Sequence, residues 1–561
     1  MVGIPQVRAF SRLAARSIRR EQDRRRLRRA DSALLAAATA DHLIPVTVPA
    51  PPLMRTRTLP ARAVLLRSPA EHRRSLAERL AQELSAAGIP HTSYPALGDH
   101  GRTVLVVAAQ DWDGMLRAVA TSTPSLLLAG SASPRAASRL PVHLGPPADG
   151  SGWSVMHVLD PAVTTQDGRV QARYGFDTAV TIERWSPTED EPATLRPPRY
   201  HPRTDRLPAQ ALAAAPPEES DRETLEALST PTLFEVTFPI DVVYTWVDGT
   251  DPAWIERKRT AIEQEAGEGM TEAAAEDLRF IDHDELRYSL RSLEQYAPWI
   301  RHIYLVTDRQ RPSWLVPDHP RLTVVDHRDI APAGSALPTF NSHAIEANLH
   351  RIEGLSEHFL YFNDDVFLSS PVGPELFFSP NGIAHMYLSK AQVAPGAPQD
   401  GEPASDTAGK NARALVGAVC GRRVSRKLFH APFALQRSVS AEIEERWPEV
   451  VASTRAAAFR RTSDVTVSGA LHMNLAYATA RAVTRGLRYS YVNVGAGDAE
   501  TRLAGLERDR DSLQTFCLNE ADPQLDPATV DRLVRDFLRR RFPDRSTFEL
   551  PEVHDVAEGT A

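Results

Sequence analysis

Four short apolar runs, each delivering an acidic residue at its end, constrain this chain more than any other feature. Ile240 to Val247 leads into Asp248-Gly249, and Ile303 to Val306 leads into Thr307-Asp308. Leu322 to Val325 leads into Asp326-His327, and Phe359 to Phe362 leads into Asn363-Asp364-Asp365. Runs this short, rich in β-branched and aromatic residues and stopped by turn formers, predict buried strands. Leu286, Leu290 and Leu293 share one helical face, and Ile345, Leu349 and Ile352 share another. Alternating strands and helices predict an α/β fold, with a Rossmann-like, mostly parallel sheet covered by helices on both faces. In such sheets ligands bind beyond the carboxyl ends of the strands, so the acids mark a site.

A chain of 561 residues exceeds one ordinary domain. Residues 1–55 read as a basic arm followed by a Pro-rich segment. Residues 56–185 read as a small α/β N-terminal domain, with strands at 62–66, 104–107 and 126–128 and a helix at 71–87. Residues 186–235, rich in proline and charge, read as a linker. Residues 236–550 form the informative domain, and 551–561 a tail. Within 391–410, Gly, Pro, Ala and Ser without periodicity read either as a flap over the site or as a tolerated insertion. Helical patterns recur at 465–482 and 530–542.

The arm carries arginines from Arg8 to Arg29, with Val7, Phe10, Leu13, Ala14 and Ile18 near helical spacing. It reads either as a basic helix resting on an anionic membrane surface or as a solvated terminus. A net charge of -7 argues against a nucleic-acid binder. No apolar run reaches the roughly 20 residues that span a bilayer, and no secretory leader is read. The only cysteines, Cys420 and Cys517, point to a reduced compartment. The expectation is a cytoplasmic protein, peripheral to the inner face of the membrane if the arm binds there, with self-association left open.

Several constellations suit chemistry, and each has a plainer alternative. Asp364 and Asp365 suit a hard divalent cation, or cap a strand. Asp282, with Glu285 three residues on, fits a capping box before a helix, or a carboxylate base at the sheet edge. Asn341, Ser342, His343 and Glu346 lie at a helix start, which favours anionic or hydroxyl-rich ligands, or simply cap it. His430 is a lone histidine among apolar residues. Arg460 precedes Thr462-Ser463-Asp464, placed to grip a phosphate or to pair with an acid. Lys410, Asn411 and Arg413 follow the irregular stretch, as diphosphate holders or as an ordinary helix start.

Together these segments resemble the stealth family of sugar-phosphate transferases, which includes capsular polysaccharide phosphotransferases. The first region is similar over Ile240 to Pro252, and the second from Arg279 through Asp284-Glu285-Leu286-Arg287 and Pro338 to Glu346 to Phe367. The third is similar from His430-Ala431-Pro432 to Asp464, and the fourth over Phe516 to Glu520 and Phe542 to Glu549. The resemblance implies a GT-A-like catalytic domain that moves a hexose-1-phosphate from a UDP-sugar to a carbohydrate hydroxyl. Commonly that group is GlcNAc-1-phosphate, and UMP is released with Mg²⁺ or Mn²⁺ assisting. By position it implies catalysis by Asp282, His430 and Arg460, with Asp364, Asp365 and Asn519 as metal ligands. Asp248, Arg287, Asn341, His343, Glu346, Lys410, Asn411 and Arg413 become candidates for substrate binding. Two positions depart from the family pattern: His283 replaces Asn, and Glu520 replaces Asp, which puts a metal or substrate role at that position in question. The competing readings are a metal-dependent glycosyltransferase releasing UDP, and a non-catalytic surface-assembly protein.

Overall fold

The structure is a computed structural model that describes residues 4–37, 43–50, 56–96, 103–122, 126–133, 135, 137–166, 169–201, 203–212, 225–265, 280–521 and 524–551. The chain divides into two compact units. One spans Met1–Thr232 with Asp544–Thr547, and the other Leu233–Pro543 with Phe548–Ala561.

The first unit reaches beyond the expected 56–185. A helix spans Ile4–Ala37, and its later turns bury Leu27, Asp31 and Leu34. Buried Arg57 clamps Asp31, donating from Nε at 2.9 Å. The side chains of Val7, Phe10, Leu13, Ala14 and Ile18 lie outside those described. The arm's Pro-rich segment is also structured in part, since Ile44–Pro49 pairs antiparallel with Thr56–Ala63. The segment read as a linker contributes two short strands, Thr194–Arg196 and Leu207–Pro208, to the unit's eight-stranded sheet. Leu195, Leu207, Leu212 and Leu228 pack there against Trp185. Proline and charge dominate the composition of 186–235, yet a few well-spaced leucines suffice to bury it.

In the second unit all four expected strands form, as Ile240–Thr245, Ile303–Thr307, Leu322–Asp326 and His358–Asn363. They pair in parallel, in the order Leu322–Asp326, Ile303–Thr307, Ile240–Thr245, His358–Asn363. A fifth strand, Phe433–Gln436, closes the edge antiparallel to His358–Asn363. Val242, Val243, Leu305, Phe359 and Phe362 form its core with Leu286, Leu290 and Leu293 from the Glu285–Tyr296 helix. The pattern at Ile345, Leu349 and Ile352 is not one helix. Ser342–Glu346 stops, and a separate 3₁₀ turn follows at Leu349–Arg351. The 465–482 pattern is likewise broken, by non-helical backbone at Ser468 and Gly469. Helix Ala404–Cys420 begins inside the irregular 391–410 stretch.

The first strand ends in a tight turn, where Asp248 Oδ1 accepts the Thr250 backbone N–H at 2.8 Å. A Cβ on Gly249 would stand 2.1 Å from the Phe280 carbonyl oxygen, so the turn can close only on glycine. Gly249→Ala is expected to cost about 1–3 kcal/mol, read as a lowered urea midpoint, because backbone rather than a flexible side chain must yield.

Candidate active site

The acids at the four strand ends have different fates. Asp308 pairs with Arg257 at 2.8 Å. Asp326 caps the His327–Ile330 turn and pairs with Arg328 at 2.7 Å. Asp248 holds its own turn. Only Asp364 and Asp365 enter a cluster of further functional groups.

Two antiparallel ladders build that cluster. Tyr361 pairs with Phe433, so the chain before Phe433 runs past the end of the 358–363 strand and brings His430 over Asp365. The imidazole Nε2 lies 3.2 Å from both Asp365 oxygens. Strand Val366–Leu368 pairs with Thr515–Asn519, Val366 opposite Cys517. That register delivers Cys517 Sγ at 3.3 Å and Asn519 Nδ2 at 3.1 Å to Asp365 Oδ2. Burial alone would raise the Asp365 pKa, but His430 and these donors hold it below the usual carboxylate range. Burial would lower the His430 pKa, yet Asp365 raises it, so the pair favours imidazolium and carboxylate. About a third of the His430 side chain, 34%, stays open to solvent, so it can still meet a substrate.

Asp282, just ahead of the Glu285–Tyr296 helix, meets the end of the first strand. Trp246, just past that strand, donates from its indole to Asp282 Oδ2 at 3.0 Å, and the Asp284 N–H donates to Oδ1 at 2.8 Å. Asp282 is not the cap the spacing predicts. The N-cap is Asp284, at φ 68°, and Glu285 reaches back to the His283 N–H instead. The left-handed Asp284 turns the chain by one residue and leaves Asp282 facing the site. Burial, with repulsion from Asp284, raises the Asp282 pKa. Burial and the charges of Asp282 and Asp364 push Glu285 well above its ordinary value. Asp364 rises to about 8, through burial and then through Asp365 and Asp282. Three crowded carboxyls with raised pKa values form an oxygen-rich, charge-deficient pocket. Asp364 and Asp365 bring carboxylate oxygens, the donors a hard divalent cation takes, whereas Asn519 turns its amide nitrogen to Asp365 and accepts the Tyr491 hydroxyl on its oxygen at 3.0 Å, so it presents no oxygen there.

Arg460 closes the third side. The 457–464 loop that carries it is pinned by Asn341, whose amide donates to Asp464 at 2.8 Å and whose Oδ1 caps the short helix at the His343 N–H. Arg460 Nη2 donates to Ser342 Oγ at 2.5 Å, and its buried Nε has no partner among the described residues. Glu346 is buried and its pKa is pushed up to about 7 by burial, against the pull of Arg460, Tyr361 and His430. Below about pH 4.3 folded and unfolded chains both hold the Glu346 proton, and between there and about 7 only the folded chain does. Stability should therefore fall as pH rises through that window, by on the order of 3 kcal/mol. Glu346→Gln should flatten that slope in urea melts taken across the same range.

The remaining candidates are engaged elsewhere. Arg287 Nε donates to Glu549 at 2.6 Å. His343 is buried, with Nδ1 3.7 Å from Asp464. Lys410 pairs with Glu402, while Asn411 holds the Thr462 and Asp464 carbonyls at 2.9 Å. Arg413 ties down the carbonyls of Ala394 and Gly396. Arg279 lies outside the described residues. His283 and Glu520, the two departures from the family pattern, face each other, with Nε2 3.5 Å from Oε2, and His283 Nδ1 lies 2.9 Å from Asp531. Trp246, Tyr361 and Cys517 belong to the site without having been read as site residues, and Glu285, read only as a capping partner, joins them; its signal was three acids within four residues.

Family models match in four places: Stealth protein CR1, conserved region 1, at residues 238–266; CR2 at 279–386; CR3 at 429–477; and CR4 at 504–555. An exopolysaccharide phosphotransferase of Streptomyces coelicolor is 39% identical over 514 residues, covering 86% of this chain and 84% of that protein. A second from the same organism is 42% identical over 408 residues, covering 70% of this chain and 42% of that longer protein. One from Nocardia farcinica is 38% identical over 344 residues, covering 60% of this chain and 67% of that protein. The crystal structure of the galactosyltransferase LgtC aligns with 56% of this chain and 98% of its own, at 10% identity and a TM-score of 0.30, a likeness too slight to carry an argument.

Proposed function

The chain belongs to the Stealth family and is a transferase that moves phosphate-containing groups, and from that premise we propose that it transfers a hexose-1-phosphate from a UDP-sugar to a carbohydrate hydroxyl in polysaccharide synthesis. The observation that carries this reading is the convergence of Asp282, the Asp365–His430 pair and Arg460, with buried Glu346 in its field, beyond one sheet edge.

An acceptor hydroxyl must lose its proton to attack phosphorus, and Asp282, its carboxylate oriented by the Trp246 indole and the Asp284 N–H, serves as the base. His430, biased toward imidazolium by Asp365, donates a hydrogen bond to a phosphate oxygen. Arg460, whose buried Nε has no partner among the described residues, offsets charge on the transferring phosphoryl group. The hydroxyl oxygen bonds to the β-phosphorus while the bond from that phosphorus to the bridging oxygen breaks, and the oxygen leaves with UMP. A divalent cation held by Asp364 and Asp365 would neutralise the diphosphate. The protein acts at the inner face of the membrane in this reading, with the Ile4–Ala37 helix as the contact. Among the described residues no helix is long and apolar enough to cross a membrane.

Incubation of the purified chain with UDP-sugars labelled at the β-phosphorus tests the reaction. Release of UMP, with label in the sugar product, is the expected result. Label retained in released UDP would replace this reading with that of a conventional glycosyltransferase.

A further inference from the structure

Oxygen donors alone account for a hard cation, yet a thiol and an imidazole meet at the same carboxylate. An Asp365 oxygen, His430 Nε2 and Cys517 Sγ all lie within 4.8 Å of one another. The imidazole and thiol each stand 3.2–3.3 Å from that carboxylate. Zinc bonds of about 2.0–2.3 Å imply ligand–ligand edges of roughly 3.3–3.8 Å in a tetrahedron, and the two edges that meet at Asp365 already have nearly that spacing. They are also held there. Cys517 is fixed in its ladder opposite Val366, and the Tyr489 hydroxyl donates to the His430 carbonyl at 2.8 Å. The partial exposure of His430 leaves a route in and an open fourth position.

We propose that Asp365, His430 and Cys517 form a site for a thiophilic divalent cation such as zinc, overlapping the reacting centre. On binding, the Cys517 thiol and the His430 imidazolium Nε2 each give a proton to solvent, and the three side chains replace waters of the hydrated ion without any change of oxidation state. Occupancy removes His430 from the phosphate and Asp365 from the hard cation, so zinc blocks transfer. That consequence rests on the proposed reaction, whereas the binding itself does not.

Cobalt titration of the full chain tests the binding, since thiolate ligation gives a charge-transfer band in the near ultraviolet. The band is expected to saturate at one ion per chain, to vanish in Cys517→Ser, and to persist in Cys420→Ser. Its absence from the unsubstituted protein, or its survival in Cys517→Ser, overturns the site. Circular dichroism confirms that each variant is folded, and Cys517→Ala serves if the serine variant is not. Zinc should also suppress nucleotide release, and Cys517→Ser should need about tenfold more zinc for the same fractional loss of its own rate. Zinc that binds through Cys517 yet leaves turnover untouched would overturn the overlap with the reacting centre. Cobalt coordination without turnover of any sugar nucleotide would keep this site and defeat the transfer reading instead.

Discussion

Arg460→Ala is expected to lower turnover by about a hundredfold or more in a chain that still folds, and His430→Ala and Asp282→Asn by similar factors. The argument for Arg460 is electrostatic. Its guanidinium is half-buried, with Nε shielded from water, so its charge is less screened than in bulk solvent and a phosphoryl oxygen would feel it strongly. Losing one such donor costs about 3–4 kcal/mol in transition-state stabilisation, which is the stated factor. The fold should survive because the surrounding loop is tied by other groups. Asn341 and Asp464 hold it, and Phe340 donates its backbone N–H to the Ala458 carbonyl at 2.7 Å. Arg460→Lys keeps a charge but not the planar fork, and should recover only part of the rate. Near-normal turnover in folded Arg460→Ala would remove its assigned role.

Glu549→Ala should instead strike stability, by about 3–5 kcal/mol. Glu549 is fully buried and accepts Arg287 Nε at 2.6 Å and Arg291 Nε at 2.7 Å. Arg291 also donates to the Phe542 carbonyl at 2.8 Å, joining the Glu285–Tyr296 helix to the end of the Pro527–Arg541 helix. Deleting the carboxylate removes the counter-charge that two guanidinium groups share, with little solvent to replace it. A denaturant midpoint close to that of the unsubstituted chain would refute the role. The same geometry predicts that Arg287→Ala lowers stability more than it lowers turnover per folded molecule, which separates a structural tie from a substrate contact.

The four parallel strands were legible because each is a short apolar run closed by polar turn formers. The site was legible only where it hangs directly from such a strand, as Asp364 and Asp365 do. His430 and Cys517 arrive through antiparallel pairings 65 and 152 residues away from Asp365, and no local pattern encodes those registers. The capping box at Asp282 failed because Asp284 takes a left-handed backbone and becomes the N-cap itself, which spacing alone does not encode. Asp308 and Asp326 looked equivalent to Asp364, but each has an arginine at hand, and sequence does not disclose which acid finds one.

The reversed direction of the Phe433–Gln436 strand bears on how such a chain can diversify. Its partner, His358–Asn363, ends where it starts, so the segment joining them departs from and returns to the same rim. Residues can be gained or lost along that excursion while the imidazole it delivers is still registered by the hairpin-like pairing at its base. Length variation there would alter what the protein grips, and leave untouched the part that reacts.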